Sequence, residues 1–289
     1  MKFARLTSRL AVGGVTAALA TAGLVGATST SALAAPVSTT YTCSAAGSSF
    51  AVPVTVDIAL LPSTAPAGFP VPAGLLSFNS TATIPGSVQP ILDSLSVTGG
   101  KSTDFGTAFG DTVAPAPVSW TKPAAADGSG NWVYTGKGAN GAFILPKAGT
   151  YSVNMPKAFN LQATRADGST AITAACTSAA PAQIGTIVLS KQASKVKAKA
   201  PHSVKKGSVV SVKGKVTNDY VKSGGPEATG KILVKDGKKT VGKGKLKKGK
   251  FVVKLKGLAV GSHSLTVSYK GDAFTDKGVS KAFKVNVTP

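Results

Sequence analysis

Residue types that could do chemistry are scarce in this chain, and its two cysteines illustrate the point. Cys43 and Cys176 are accompanied by only two histidines, His202 and His263, which lie far away in the sequence. Two thiolates cannot fill the four-coordinate shell of a structural zinc ion. An even number of cysteines in an exported chain favours a disulfide, with a metal site or a catalytic thiol as the alternatives. We therefore expect a Cys43–Cys176 disulfide, no metal and no cofactor.

Candidate catalytic residues are isolated rather than grouped. His263 follows Ser262, but a serine hydrolase also needs a buried acid to orient the histidine. Asp104 and Asp111 flank the stretch "FGTAFG", and a loop explains them without the paired carboxylates of a glycosidase. No G-x-S-x-G, H-E-x-x-H or phosphate-binding glycine motif occurs. The sequence predicts a protein that is not an enzyme, with no catalytic residue, and a hydrolase centred on His263 is the outlying alternative.

Lysine is the one charged residue type present in quantity. The stretch "KDGKKTVGKGKLKKGKFVVKLKG", residues 235–257, contains ten lysines, one acid and no arginine. It is either a disordered basic arm that grips nucleic acid or a folded segment whose lysines point outward. Residues 186–289 hold 24 lysines against five acids, a net charge of +19, whereas residues 36–185 are neutral. Such asymmetry predicts two units with different surfaces.

The first residues indicate export. Lys2, Arg5 and Arg9 precede an apolar run from about residue 10 to 25, and Ala32-Leu33-Ala34 fits the small-residue cleavage pattern. We predict a signal peptide over residues 1–34 and a secreted, extracellular mature chain, either released or retained at the cell wall. A membrane anchor is the alternative. No later segment is long and apolar enough to span a membrane, so we expect no transmembrane segment after cleavage.

Strand patterns predict an all-β fold with two β-sandwich domains in tandem. In residues 35–180, Val52, Val54 and Val56 share one side of a strand, and short strands separated by Gly/Pro-rich turns continue along the segment. Residues 85–97 are the nearest approach to a helix, but two prolines limit it. We predict a two-cysteine sandwich over 35–180, a linker over 181–186 and a lysine-rich domain over 187–289.

The lysine-rich part alternates with period two, as half-buried antiparallel strands do. One side of five runs is apolar, and the other is usually Lys, Ser, Thr or Asn. A one-residue slip would turn every lysine into the core, so this phase predicts a folded sheet rather than a disordered arm. The apolar positions are Val210, Val212, Val216, Ile232, Val234, Phe251, Val253, Leu255, Leu265, Val267, Tyr269, Phe283, Val285 and Val287.

These runs resemble a bacterial Ig-like repeat domain. The resemblance rests on a "V-x-D-G" turn at 234–237, a "G-x-x-x-L-x-x-G" hairpin at 242–249, an "L-x-x-G-x-H-x-L-x-x-x-Y-x-G-D" strand at 258–272 and a closing strand at 278–287. It implies a seven-stranded sandwich without a disulfide. The first domain resembles a domain of unknown function in secreted actinobacterial proteins, through "YTC", "PKAGTYSVNMP" and Cys176.

The outward lysines are the candidate binding residues. Lysine is a hydrated point charge, and without arginine or interleaved aromatic residues it suits diffuse adhesion to anionic cell-wall polymers or acidic glycans rather than specific nucleic acid. The candidate polyanion-binding residues are Lys213, Lys215, Lys231, Lys235, Lys243, Lys245, Lys250, Lys254, Lys256 and Lys284.

Three functional readings follow from this surface. The first is an envelope-associated structural or adhesion protein. The second is an extracellular ligand-binding module in the N-terminal domain, with the lysine-rich domain as its tether. In the third, the lysines only protect edge strands and keep the chain soluble. The sequence does not indicate an oligomeric state.

Overall fold

The computed structural model describes residues 35–59 and 61–289 as a chain that is almost entirely β. The predicted signal peptide and its alternative, a membrane anchor, fall on residues 1–34 and lie outside the described residues. Among the residues described, no helix has the length and apolar character needed to cross a bilayer.

The first domain contains fifteen strands and one short helix. They are β1 Val37–Ala45, β2 Ser48–Asp57, β3 Thr64–Pro66, β4 Pro70–Val71, β5 Ser77–Ile84, α1 Gln89–Ser94, β6 Val97–Ser102, β7 Gly106–Phe109, β8 Thr112–Pro115, β9 Val118–Thr121, β10 Trp132–Ala139, β11 Phe143–Ile144, β12 Gly149–Asn154, β13 Ala158–Arg165, β14 Thr170–Thr177 and β15 Gln183–Ser190. Helix α1 lies in the segment that the sequence marked as nearest to helical. Its proline at the first turn removes only an N–H that has no helical partner.

Eight of these strands close into an antiparallel barrel in the order β1-β14-β13-β6-β9-β10-β5-β2. A five-stranded sheet, β3-β15-β12-β7-β8, and the pair β11-β4 complete the domain. The all-β prediction is confirmed, and the barrel adds a closure that local patterns did not reveal. The closing pair β1–β14 sets Cys43 directly opposite Cys176, and the predicted disulfide between them is present.

The boundary between the domains differs from the expected one. Residues 183–186 of the predicted linker belong to β15, which pairs with β12 and extends to Ser190. Ile187 and Leu189 of this strand are buried in the first domain, while Val188 between them is exposed. The few charges of the segment suggested a linker, but burial in a second sheet explains its composition equally well.

The second domain is a two-layer sandwich with the predicted Ig-like character. Its strands are β16 Lys195–Lys199, β17 Ser203–Lys205, β18 Val210–Thr217, β19 Lys231–Asp236, β20 Lys239–Lys245, β21 Lys250–Leu255, β22 Gly261–Tyr269, β23 Gly278–Val279 and β24 Phe283–Thr288. One sheet is β16-β18-β21, and the other is β17-β24-β22-β19-β20 with β23 beside β22. The apolar positions predicted from the period of two are buried, apart from the half-buried Phe283.

The two domains touch through a small set of specific contacts. Phe69 of the first domain packs edge-on against Tyr220 of the second, with ring centroids 5.0 Å apart. Gln192, which is buried between them, donates from its side-chain amide to the carbonyl of Ala67 and from its backbone N–H to the carbonyl of Phe274 at 2.8 Å. A buried amide with partners in both domains holds one against the other.

Candidate functional site

One sheet of the Ig-like domain exposes a set of lysines on its outer surface. The three strands β16, β18 and β21 turn apolar side chains inward and exposed lysines outward, as alternation in a strand requires. We call this outer surface the lysine face. Its lysines are Lys195, Lys197, Lys199, Lys213, Lys215, Lys250 and Lys254.

The strand register places lysines of this face beside one another. Lys215 lies opposite Lys197 on one side and Lys250 on the other, and Lys199 lies opposite Lys213. Directly opposed residues have their Cβ atoms about 5 Å apart, and like charges in such pairs destabilise a sheet. Rows of lysine therefore run across the strands as well as along them.

The lysine face has little internal neutralisation. Within the described residues, its one ion pair joins Lys195 to Asp219 at the edge of the sheet, and both side chains are exposed. The central row of Lys197, Lys215 and Lys250 has no such pairing there. Exposed cations at this density attract a polyanion through the sum of their fields.

A glycine at the centre of the face allows this arrangement. Gly214 lies between Lys213 and Lys215, and a side chain at this position would point into the core. A Cβ there would lie 2.2 Å from the carbonyl oxygen of Lys197 and 2.5 Å from the ring of Phe251. The glycine lets the Phe251 ring fill the core directly beneath the central lysines.

The ten candidate lysines do not form one surface. Lys213, Lys215, Lys250 and Lys254 lie on the lysine face, and Lys256 is exposed just beyond β21. The others belong to the opposite sheet. They are Lys231, Lys235, Lys243, Lys245 and Lys284.

Sequence reasoning also missed three lysines of the face. Lys195, Lys197 and Lys199 lie on β16, whose "KVKAK" alternates between exposed lysines and half-buried Val196 and Ala198. This short period-two run was the available signal.

His263 is part of a structural pair rather than a hydrolase triad. Its Nδ1 lies 2.6 Å from a carboxylate oxygen of Asp236, and its Nε2 lies 2.8 Å from the carbonyl oxygen of Ala259. The Ala259 carbonyl and the Asp236 carboxylate together raise the pKa of His263 above 6.5. With both nitrogens engaged, neither is free to take a proton from Ser262.

Asp104 also has a structural role. Its carboxylate accepts hydrogen bonds from the Asn160 side chain at 2.6 Å, the Asn160 backbone N–H at 3.0 Å and the Ser102 hydroxyl at 2.9 Å. Burial by itself would raise the pKa of Asp104, but these hydrogen bonds outweigh burial and hold it below its ordinary value. In the described part of the chain, no three His, Cys, Asp or Glu side chains group as metal ligands.

The barrel of the first domain is filled at one end and hollow at the other. At the filled end, Tyr41, Phe105 and Phe159 pack edge to face, with ring centroids about 5 Å apart. Toward the other end the inward positions become small, which leaves space between the strands. These small residues are Ala45, Ala82, Gly100, Ala163 and Ala174.

The space forms an apolar cavity of about 140 Å³. Aromatic and aliphatic side chains complete its wall, and helix α1 covers part of its mouth. The mouth is open to solvent beside Ser48 and Ile91, which are both exposed. The larger wall residues are Phe50, Ile84, Val97, Trp120, Tyr134, Leu161 and Ile172.

The side chains of Trp120 and Tyr134 in the cavity wall already have hydrogen-bond partners. The Trp120 indole N–H donates to the Ser80 hydroxyl at 3.2 Å, and the Tyr134 hydroxyl donates to the Gln89 side chain at 3.3 Å. Gln89 is buried, and the hydrogen bond from Tyr134 on β10 ties α1 to the barrel. Within the helix, Gln89 in turn donates to Asp93 at 2.8 Å. Burial raises the pKa of Tyr134, so the hydroxyl stays neutral.

Unfilled space of this size is costly in a protein core. The atoms that line this space lose packing contacts that a filled barrel would give them. The sequence interpretation missed the cavity. The available signal was the change from large to small residues along the inward face of each strand.

Comparison with family models matches both domains. Residues 40–188 match the family of unknown function DUF6801, and residues 196–288 match the bacterial Ig-like domain, group 3. Both resemblances noted in the sequence are confirmed, in the expected order. A bacterial Ig-like domain fits a structural protein of the cell envelope.

Other comparisons add little about function. No curated protein matches the chain. A solved structure described as a membrane-anchored protein from Corynebacterium diphtheriae aligns with 88% of this chain at 14% identity and a TM-score of 0.35. The chain spans 59% of the length of that protein.

Proposed function

Because the chain belongs to the family of unknown function DUF6801 and carries a bacterial Ig-like domain, we propose that it is a non-enzymatic protein of the cell envelope whose lysine face holds anionic polymers. The row Lys197–Lys215–Lys250 carries this proposal, because three like charges stand opposite one another across the sheet. The Cys43–Cys176 disulfide supports a location outside the cytoplasm, where such bonds persist.

The chemistry of the face favours a flexible polyanion. Its cationic groups are all lysine, which binds phosphate or carboxylate as a point charge without the forked geometry of arginine. Strands lie about 4.8 Å apart, and side chains on one face repeat about every 6.6 Å along a strand. A polymer with closely spaced phosphates or carboxylates can therefore place its anionic groups beside these lysines in many alternative positions along the face.

Edge protection does not account for Lys215, the middle lysine of the central row. Natural sheets place lysine on edge strands to prevent pairing with other chains. Lys197 on the edge strand β16 and Lys250 on the edge strand β21 fit that explanation. Lys215 lies on β18, which is paired on both sides, so its charge is not needed to block an edge. The opposed lysines on a central strand support a binding role over solubility alone.

The experiment compares two triple variants with the same change in net charge. One, Lys197→Gln/Lys215→Gln/Lys250→Gln, removes the central row. The other, Lys231→Gln/Lys243→Gln/Lys245→Gln, removes three lysines from the opposite sheet. Each full-length variant is titrated against purified teichoic acid and sedimented with cell walls at several salt concentrations.

We expect the central-row variant to bind at least about tenfold more weakly and to show a smaller dependence of affinity on salt, since fewer counterions are released. The opposite-sheet variant should stay close to the parent chain. Equal losses in both variants would show that net charge, and not the lysine face, governs binding. Salt-independent binding by the parent chain would refute the electrostatic mechanism.

A further inference from the structure

We propose that the hollow end of the barrel binds the short alkyl tail of a neutral amphiphile. This proposal concerns the first domain and does not depend on the lysine face. Eight-stranded barrels have an interior just wide enough for side chains or for one small ligand. Along part of this barrel the inward side chains leave a cavity that can hold one small ligand.

Among the described residues, the polar side chains that line the cavity are Ser48 at its mouth and, deeper in the wall, Trp120 and Tyr134. The cavity is lined by no charged side chain among these residues, and its indole and phenol groups already donate to Ser80 and Gln89. A polar ligand would lose its hydration without gaining hydrogen bonds, which opposes binding. Transfer of an apolar group into this space is favourable, because the group leaves water and contacts aliphatic and aromatic walls.

The volume sets the size of the group. An apolar cavity of roughly 150 Å³ stays dry and accepts benzene, and the barrel cavity of about 140 Å³ is close to that size. A tail of about six carbons therefore fits. The mouth beside Ser48 and Ile91 is open to solvent, so a polar head can remain in water while the tail enters.

The backbone leaves room for a larger side chain in the cavity. A Cβ built on Gly100 would meet its nearest atoms at 3.5 Å and beyond, which is ordinary contact, so a side chain could stand there. At Gly138, by contrast, a Cβ would lie 2.1 Å from the Phe78 ring, and only glycine fits. The chain could fill the cavity from Gly100, and it leaves that position empty.

The test uses Trp120 as a reporter of the cavity. Trp120 and Trp132 are the two tryptophans of the chain, and Trp120 lines the wall. In a full-length Trp132→Phe background, bromohexanol with its bromine opposite the hydroxyl should quench the fluorescence of Trp120 saturably. Unbrominated hexanol should reverse the quenching, whereas hexanediol, which is polar at both ends, should not.

A matched pair of variants locates the probe. Ala174→Leu fills the cavity from β14, whereas Ala175→Leu adds the same side chain to the exposed face of that strand. We expect Ala174→Leu to weaken binding about tenfold or more, because its three added carbons take the space of about three methylenes of the probe, and Ala175→Leu to leave it unchanged.

Two outcomes would overturn the proposal. One is a parent chain without saturable quenching, and the other is equal binding by the two leucine variants. If Ala174→Leu lacks the near-ultraviolet circular dichroism of the parent, Gly100→Val makes the same test from β6 and should weaken binding similarly. We expect none of these changes to affect the binding of teichoic acid, so the two proposals fail independently.

Discussion

Lys215 lies directly opposite Lys250 on the outer face of the three-stranded sheet, with Lys197 on its other side. Opposed like charges of this kind each weaken a sheet by about 0.2–1 kcal/mol. A bound polyanion would remove that repulsion. The same row that lowers the stability of the free domain can therefore make the bound domain more stable.

Neutralising the central lysine should stabilise the Ig-like domain. We expect Lys215→Gln to raise its free energy of unfolding by about 0.5 kcal/mol at low salt, with a smaller gain at high salt, because salt screens the repulsion. Urea unfolding followed by circular dichroism measures this. Lys284→Gln is the control, because Lys284 lies opposite Ser264 and has no cationic neighbour there. A gain independent of salt would contradict the charge mechanism.

His263 should make the stability of the Ig-like domain depend on pH. Its pKa in the folded state is raised above 6.5 by the Ala259 carbonyl and by Asp236. The stabilisation is therefore fully present below pH 6.5, and it is lost as the pH rises through the folded-state pKa. The urea midpoint of this domain should fall over that window. His263→Gln should flatten the dependence, and the exposed His202→Gln should preserve it.

Replacing Gly68 by alanine should weaken the contact between the two domains. Gly68 and Gly74 both have positive φ, +69° and +76°, so alanine costs each position about 1 kcal/mol in backbone strain. At Gly68 the new Cβ would also lie 2.6 Å from Pro226 of the second domain, whereas at Gly74 it would meet nothing within 4 Å.

We expect Gly68→Ala to lose about 1–3 kcal/mol more than Gly74→Ala, as overpacking does, and to separate the melting of the two domains in calorimetry. Small-angle X-ray scattering should show a wider range of domain orientations for Gly68→Ala alone. Identical losses and a single shared transition in both variants would mean that the contact at Pro226 contributes nothing to domain coupling.

The disulfide should stabilise the barrel and not the Ig-like domain. It joins residues 133 positions apart, and closing a loop of that length is worth about 4–5 kcal/mol in the chain-entropy model. The Cys43→Ala/Cys176→Ala variant should lose about that much in urea unfolding followed by tryptophan fluorescence, because both tryptophans belong to the first domain. The pH-dependent transition of the Ig-like domain is the internal control. A barrel that keeps its midpoint without the disulfide would contradict the prediction.

Several features could be predicted from the sequence because their cause is local. Val253 and Leu255 alternate with Val252 and Lys254 along β21, and the period of two alone indicates which side is buried. The chain has two cysteines, and each has one possible disulfide partner within it, so the Cys43–Cys176 pairing could be predicted by counting. The Ig-like resemblance rested on turns whose glycines and spacing are read directly from the residues.

Other features depend on pairings between distant residues, and only the tertiary structure decided them. The barrel closes because β1 pairs with β14. The cavity exists because Ala45, Ala82 and Ala174, which lie on three different strands, line the same space. The division of the lysines between two faces follows from which sheet each strand joins. The alternation along a strand predicts that a lysine points away from the core. It does not predict on which outer surface of the domain the lysine lies, because that depends on strand pairings between residues far apart in the chain.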